Sequence, residues 1–347
     1  MDMTYILMGI LVLCLAALAL RGLTYDPEKK EIMGVRDTEV LRGLWCIIIL
    51  LVHVPAPYQN RIQDALGSFA YIGVTFFFLT SGYGLQYSVS HKPGYLDRFW
   101  QRRLPILLIP ALLANAFRTA ADFLDGKPVT VYSFFNIDNW VKTLLLLYFF
   151  YWLIRRFMPD KAGIRQELLL CLPAAAYSLA DRMAGPRITW GWGIEALGFA
   201  YGILLARAMP FLMKRKRNRW PAECTVLLVL SLVLGAGYLK YKYIPFWGDY
   251  LLKVILGIAL TALVLHLTAR FTPGNPVSRF LGSISYEFYL LHRGVFVLLH
   301  AFFGEKLPSG ICIWAAIGLT ILLAVILKRL TRLCLDHIGR KDHVSAK

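Results

Sequence analysis

Eleven apolar segments, each long enough or nearly long enough to cross a lipid bilayer, dominate this chain of 347 residues. A spanning helix needs about 20 apolar residues, because each residue adds about 1.5 Å of rise. Only 17% of the residues are charged, against about 25% in soluble domains. We therefore predict an all-α fold, a polytopic transmembrane helix bundle of about eleven spans. The segments are 4–20, 40–57, 67–88, 104–118, 140–154, 167–183, 188–207, 222–239, 249–269, 284–304 and 310–328.

The net charge of +17 lies mainly in the connections between these segments. No polar stretch is long enough to form a soluble basic domain, so we expect no nucleic-acid partner. If the segments alternate in direction, one set of connections holds 27 of the 38 Lys and Arg residues. The positive-inside rule places that set in the cytoplasm. We expect a multi-pass protein of the plasma membrane, with residues near 125 and the N-terminus outside and with residues near 216 and the C-terminus in the cytoplasm.

The ends of the chain suggest how it is divided. The segment 4–20 has no basic residue before it and several soon after it, which is typical of an uncleaved anchor rather than a cleaved signal peptide. The basic cluster 214–217 fits a topology determinant or a patch for anionic membrane lipid. We expect an N-terminal anchor and cytoplasmic loop over 1–35, a membrane domain over 36–335 and a cytoplasmic tail over 336–347.

The stretch 36–53 begins with charged residues and continues as an apolar helix that contains one histidine. Arg42 and His53 are eleven residues apart, which on a helix is about 16 Å of rise and about three turns, so they lie on nearly the same face. This arrangement fits an anionic ligand that enters from one side and reacts further along. An anchoring arginine and a packed histidine would explain the pattern equally well, although ionisable groups inside a membrane are costly and are rarely kept without a function.

Three stretches, in this order, carry a resemblance. They are 41–53, with an arginine and a histidine separated by ten residues; 76–83, Phe-Phe-Phe-Leu-Thr-Ser-Gly-Tyr; and 281–292, Leu-Gly-Ser-Ile-Ser-Tyr-Glu-Phe-Tyr-Leu-Leu-His. In them the chain resembles the membrane acyltransferase-3 family. It departs from the family where Glu39 replaces an aspartate and where an aliphatic residue replaces a second arginine before Pro110.

The resemblance implies an integral membrane O-acyltransferase with a ten-helix core, to which the segment 4–20 would add one helix. It implies transfer of an acyl group, acetyl above all, from acyl-CoA as the donor to a hydroxyl of a carbohydrate or cell-envelope glycan. His53 would be the general base on the acceptor hydroxyl, since imidazole titrates near neutral pH, or it would carry the acyl group. Glu39 would assist as a catalytic residue by orienting Arg42.

Binding roles follow for other residues. Arg42, with the arginines of the cluster 98–103, would hold the CoA phosphates, because guanidinium groups bind phosphate bidentately and stack on flat rings. The positive-inside rule alone would also explain these arginines. Ser81 is more typical of close helix contact than of a nucleophile. The predicted donor-binding residues are Arg42, Arg98, Arg102 and Arg103, and the predicted substrate-binding residues are Ser81, Tyr83, Glu195, Tyr286 and His292.

Neither cysteines nor histidines show a metal-binding pattern. The six cysteines are scattered without zinc or redox spacing, and no His-x-His or His-x-x-x-His occurs among the seven histidines. We therefore expect no metal, and we expect His266 and His300 to be packing residues. Glu195 lies near the outer end of its segment, where snorkelling to the interface would also explain it.

Two other function classes fit parts of the sequence. Buried ionisable residues and Gly-interrupted helices are also typical of a proton-coupled transporter or exporter of an envelope precursor. Transporters often show two matching halves, and the sequence has none that we can detect. A catalytically inactive sensor on the same scaffold is the third class, and the intact arginine-to-histidine spacing argues against it.

Overall fold

The computed structural model describes residues 3–29, 32–158, 164–214 and 219–344. Within these ranges eleven long helices, three short helices and a two-stranded ribbon form a helical bundle, which confirms the predicted all-α class. The long helices are α1 Met3–Leu20, α2 Val35–Val52, α4 Ala70–His91, α5 Phe99–Leu124, α7 Asn139–Phe157, α8 Ile164–Ala184, α9 Gly193–Lys214, α10 Trp220–Tyr241, α11 Lys253–Thr268, α13 Ser285–Phe303 and α14 Ser309–Val344. The short elements are α3 Arg61–Gly67, α6 Val131–Phe135, α12 Pro276–Ser283, β1 Thr24–Tyr25 and β2 Phe271–Thr272.

Each predicted apolar segment corresponds to one of the long helices. By length and composition, seven helical stretches of the described ranges are apolar enough to cross a membrane; α2, α7, α8 and α13 are not among them. These four helices carry charged side chains within their length, and charge lowers the mean hydropathy of the whole helix. The chain is therefore a multi-pass membrane protein, and the count of eleven spans stays a prediction.

The ends of some helices differ from the predicted ones. Residues 40–57 do not form one continuous helix, because α2 ends at Val52 and Pro55 follows in an extended conformation. Proline removes a backbone donor and disfavours helix in the residue before it, which accounts for the early end. In contrast, α5 continues through Pro105 and Pro110 and is longer than the predicted segment 104–118.

The connections form two ends of the bundle, which we call the basic end and the opposite end. At the basic end, β1 pairs with β2, and Lys29 forms an ion pair of 2.7 Å with Asp37. At the opposite end, Asn60 donates a 2.9 Å hydrogen bond to Ser309, and His300 bonds Asp125. His300 is therefore an exposed polar contact rather than the expected packing residue. The positions 215–218, which include most of the predicted basic cluster, lie outside the described residues.

Close helix contact through glycine sets the position of the motif residues. A Cβ atom at Gly282 would lie 1.8 Å from the backbone oxygen of Glu39, and one at Gly43 would lie 2.6 Å from that of Ser278. Helices α2 and α12 therefore pack backbone against backbone, as small residues allow in membrane bundles. This contact holds the motif 281–292, which continues into α13, against the helix that carries Arg42.

The same type of contact joins α4 to α9, and it gives a stability prediction. A Cβ atom at Gly202 would lie 2.1 Å from the backbone oxygen of Leu79, an atom that cannot rotate away. We expect Gly202→Ala to cost about 1–3 kcal/mol by overpacking, seen as a lower thermal unfolding temperature in detergent. Gly237→Ala on α10 is the matched control, because beyond its chain neighbours and the nearby backbone of its own helix no atom of the described residues would lie within 4 Å of its Cβ. Equal unfolding temperatures for both variants would contradict the backbone contact.

Candidate active site

Helix α2 carries the arginine and the histidine that the sequence analysis singled out. Arg42 lies in the half of α2 nearer the basic end, and its Nε donates to the backbone oxygen of Thr38 at 3.3 Å. His53 directly follows the last helical residue, and its backbone N–H donates to Leu50 at 3.0 Å. The helix between them spans about 16 Å at 1.5 Å per residue. One rigid element thus separates the two groups by about half of a bilayer core.

His53 meets a second histidine across the bundle. His292 lies on α13, only 1% exposed, and its Nε2 is 3.1 Å from Nδ1 of the half-buried His53. The two rings cross at 64° with their centroids 4.7 Å apart. The two histidines predicted from separate motifs therefore form one pair.

Backbone carbonyls near the pair determine where its protons lie. Nδ1 of His53 is 2.9 Å from the oxygen of Ile49, and Nδ1 of His292 is 2.5 Å from the oxygen of Tyr289. A carbonyl oxygen only accepts, so both Nδ1 atoms carry the proton when the rings are neutral. Nε2 of His292 then accepts from His53, and Nε2 of His53 keeps a free lone pair. This is the tautomer that a general base needs.

The surroundings of His292 leave it little freedom to bind a ligand. Both of its ring nitrogens already have partners, so the geometry favours a supporting position over the predicted contact with an acceptor. Tyr289, whose ring centroid is 5.6 Å from that of His292, donates its hydroxyl proton to Asp138 at 3.1 Å. Asp138 also caps α7 by accepting from the backbone N–H of Trp140 at 2.8 Å. The pair is thus fixed by contacts with both α13 and α7.

A cavity of about 540 Å³ lies towards the basic end of the bundle, and we call it the basic cavity. Arg42, Ser81, Tyr83 and Arg103 line it, which brings together four of the predicted site residues from α2, α4 and α5. The guanidinium of Arg103 is stacked over the ring of Tyr148, 5.7 Å from its centroid. Two arginines and several hydroxyl groups make this cavity suitable for an anion.

The other two arginines of the cluster 98–103 do not line the basic cavity. Arg98 is exposed at the start of α5. Arg102 is exposed as well, and its Nη2 donates to the backbone oxygen of Tyr95 at 3.3 Å. Neighbouring helix positions point about 100° apart, which is consistent with Arg103 lining the cavity while Arg102 lies outside it.

A smaller cavity of about 150 Å³, the middle cavity, lies deeper in the bundle and shares Arg42, Ser81 and Tyr148 with the basic cavity. Tyr286 lines it and donates its hydroxyl proton to the backbone oxygen of Leu107 at 2.8 Å. Tyr289, the neighbour of His292, lines it too. The middle cavity therefore extends from the arginines towards the histidine pair.

A third cavity of about 460 Å³, the outer cavity, lies towards the opposite end and contains His53 in its wall. Glu195 lines it and accepts from Lys253 at 2.8 Å, so this glutamate is part of an ion pair rather than alone at an interface. Tyr71 and Trp192 add aromatic walls. The Tyr71 hydroxyl is buried and has no hydrogen-bond partner in the part of the chain that the structure describes.

The loop before α9 holds Trp192 in a rare backbone conformation. Trp192 has φ of +67°, which is uncommon for a residue with a side chain. Tyr177 donates to the oxygen of Gly191 at 2.9 Å, and Asp181 accepts from the N–H of Gly193 at 3.1 Å. These two anchors on α8 maintain the conformation, and such maintained strain is common at binding sites.

Glu39, like Arg98 and Arg102, is a predicted site residue that lies apart from the cavities. Its carboxylate forms no ion pair within 4 Å among the described residues, and it does not line the three cavities. Its charge acts on Arg42 only at longer range, together with that of Glu287. The predicted orienting role of Glu39 stays a prediction.

Sequence reasoning missed three residues of the site: Lys253, Tyr71 and Trp140. Lys253 could have been found, because it is the only Lys or Arg within the apolar segment 249–269, and a cationic side chain in such a segment indicates function. No sequence signal distinguishes Tyr71 or Trp140 from the many aromatic residues of the other helices.

The fold and the site define a membrane-embedded bundle in which an arginine-lined cavity and a deeper cavity lie on the side of Arg42, and a histidine pair lies further along α2. Residues 36–329 match the family model described as an acyltransferase domain. The chain therefore belongs to the acyltransferase-3 family of membrane acyltransferases, as the three motifs predicted. No curated protein and no solved structure matches the chain.

Proposed function

We propose that this protein is an integral membrane O-acyltransferase that moves an acyl group, acetyl above all, from acyl-CoA to a hydroxyl of a carbohydrate or cell-envelope glycan. The observation that carries the proposal is the His53–His292 pair: His53 lines the outer cavity, about three helical turns along α2 from Arg42 in the basic cavity. We place the basic end in the cytoplasm, where acyl-CoA is made, because most of the basic residues belong to that end.

The donor binds in the basic cavity. Arg42 and Arg103 pair with the phosphates of CoA, and Tyr83 and Tyr87, whose rings stack 6.1 Å apart, provide flat surfaces for the adenine. Arg98 and Arg102 at the exposed start of α5 add attraction for the anion without lining the cavity. The thioester end of the donor enters the middle cavity, because that cavity continues from Arg42 and Ser81.

The acceptor enters the outer cavity. Its aromatic walls and its charged pair combine an apolar surface with hydrogen-bonding groups, which is the combination that a sugar ring with its hydroxyls requires. Glu195 and Lys253 offer an acceptor and a donor, and the unpartnered Tyr71 hydroxyl offers another. One acceptor hydroxyl lies against Nε2 of His53.

The acyl group moves from the thioester of the donor to the acceptor hydroxyl with His53 as the base. His53 Nε2 takes the proton of the acceptor hydroxyl while the hydroxyl oxygen attacks the thioester carbon. The resulting tetrahedral intermediate then collapses, and its carbon–sulfur bond breaks. The proton on Nε2 passes to the leaving CoA sulfur, which gives free CoA and an ester. His292 and the Ile49 carbonyl accept from Nδ1 of His53 throughout and stabilise its charged form.

Labelled acetyl-CoA tests the proposal. Membranes that contain the protein, incubated with acetyl-CoA labelled in the acetyl group, should place label in envelope carbohydrate, and mild alkali should release it as acetate because the product is an ester. Membranes without the protein are the control. Carbohydrate that stays unlabelled while acetyl-CoA is not consumed would contradict the proposal and favour the transporter.

Two neighbouring arginines give a sharp test of the donor site. Arg103→Gln should weaken CoA binding by about tenfold or more, because a charge-assisted bond contributes about 1.5–3 kcal/mol. Arg102→Gln is the matched control: it removes the same charge one position away, outside the cavity, and should weaken binding far less than Arg103→Gln does. Isothermal titration of the purified protein with CoA measures both. Equal losses would mean that only the total charge of α5 matters.

A further inference from the structure

Trp140, near the start of α7, has a buried donor without an acceptor. The side chain is 6% exposed, and its Nε1–H has no hydrogen-bond partner among the described residues. Buried polar groups are normally satisfied, because leaving one unpaired costs its full desolvation penalty. An unpaired donor on a side chain that lines a cavity is a group to which a ligand atom in that cavity could donate a lone pair.

The position of Trp140 narrows the identity of that ligand. Trp140 lines the middle cavity, together with Arg42, Ser81 and Tyr286. Its ring centroid is 5.4 Å from that of Tyr289, whose ring in turn lies 5.6 Å from that of His292. Trp140 is thus between the basic cavity and the histidine pair, where the reacting end of a donor would lie.

The two tyrosine hydroxyls that line the middle cavity near the histidine pair are already engaged. The Tyr286 hydroxyl donates to the backbone oxygen of Leu107, and the Tyr289 hydroxyl donates to Asp138. The ring of Trp140 is held by aromatic contacts on several sides, including Phe78 at 5.4 Å. Its N–H is therefore an oriented donor in an apolar setting, and such donors are strongest where negative charge develops.

We propose that the indole N–H of Trp140 donates to the carbonyl oxygen of the acyl group in the middle cavity and stabilises the negative charge that this oxygen acquires in the transition state. This inference rests on the proposed function. When the acceptor oxygen attacks, the carbonyl π electrons move to that oxygen, and they return when the carbon–sulfur bond breaks. Trp140 gives up no proton in either step.

Trp140→Phe tests the role in catalysis. It removes the N–H and keeps an aromatic ring, so we expect kcat to fall by about 10²–10³-fold while CoA affinity stays within about twofold. Trp314→Phe is the matched control: it removes an indole N–H that donates to the oxygen of Leu7 at 3.1 Å, away from the three cavities. A kcat of Trp140→Phe equal to that of Trp314→Phe would overturn the proposal.

A binding measurement on the wild type does not depend on how well the variant folds. One probe is an unreactive ketone analogue of acetyl-CoA in which a methylene group replaces the thioester sulfur, and the other has its carbonyl reduced to a methylene as well. We expect the ketone to bind about 2- to 10-fold more tightly, and the difference to disappear in Trp140→Phe. Equal binding by the wild type would overturn the role of Trp140 and leave the acyltransferase proposal intact. If the wild type binds neither of the two probes, the donor site itself is overturned.

Discussion

His53→Gln should lower the rate of acyl transfer by at least about two orders of magnitude and leave the protein folded and able to bind CoA. Glutamine retains a hydrogen-bond donor for the Ile49 carbonyl, so the end of α2 keeps its local contact. It has no basic nitrogen that could take a proton at neutral pH, and a positioned general base contributes about 10²–10⁴-fold. Initial rates with labelled acetyl-CoA, together with CoA titration, separate the loss of chemistry from a loss of binding.

His266→Gln is the matched control for this substitution. His266 makes the same bond to the backbone, from Nδ1 to the oxygen four residues earlier at 2.9 Å, but it lines none of the three cavities. Its variant should retain transfer. The wild-type rate should also fall towards acid pH, because a protonated imidazole has no free lone pair. A His53→Gln protein that transfers at nearly the wild-type rate would remove the general base from the mechanism.

The substitution His292→Phe should have the second large effect on the rate of acyl transfer. Phenylalanine fills a similar volume but offers no acceptor to Nδ1–H of His53, so the catalytic ring loses one of its two orienting partners. We expect kcat to fall by about tenfold to 10⁴-fold, as when the group that orients a catalytic histidine is removed. The Michaelis constant for acyl-CoA should change little, because His292 lines none of the donor cavities.

The double variant shows whether the two histidines act together. Residues of one catalytic unit are strongly non-additive, so His53→Gln with His292→Phe should be about as slow as His53→Gln alone. If the two losses multiply, His292 acts independently of His53. A positioning role would then be excluded, and the predicted contact between His292 and the acceptor would be the better explanation.

The sequence predicted the two histidines separately but not as a pair. Helical spacing placed Arg42 and His53 on one face of α2, and the motif 281–292 identified His292. The two imidazoles are 239 residues apart in the chain, and their contact depends on the backbone packing at Gly43 and Gly282. A single sequence contains no information on that approach, because glycine also occurs in membrane helices for other reasons.

The arginine cluster 98–103 shows a second limit to what the sequence predicts about the site. Charge patterns placed Arg98, Arg102 and Arg103 correctly near one end of α5, but the positive-inside rule treats all three alike. Which of them faces the cavity is set by the rotation of α5 about its axis, and that rotation depends on packing against α13 and α7. For a similar reason the sequence leaves snorkelling as an alternative to the predicted substrate-binding role of Glu195, because its partner Lys253 lies on another helix.

In the proposed reaction the acyl group enters from the basic end of the bundle and leaves on an acceptor at the opposite end. With the basic end in the cytoplasm, as proposed, sealed inverted vesicles expose it to the medium and right-side-out vesicles enclose it, and acetyl-CoA does not cross either membrane. We predict that acetyl-CoA added outside gives alkali-labile label on carbohydrate in inverted vesicles, and in right-side-out vesicles only after detergent opens them. Equal labelling of both sealed preparations, or labelling of right-side-out vesicles alone, would contradict the account.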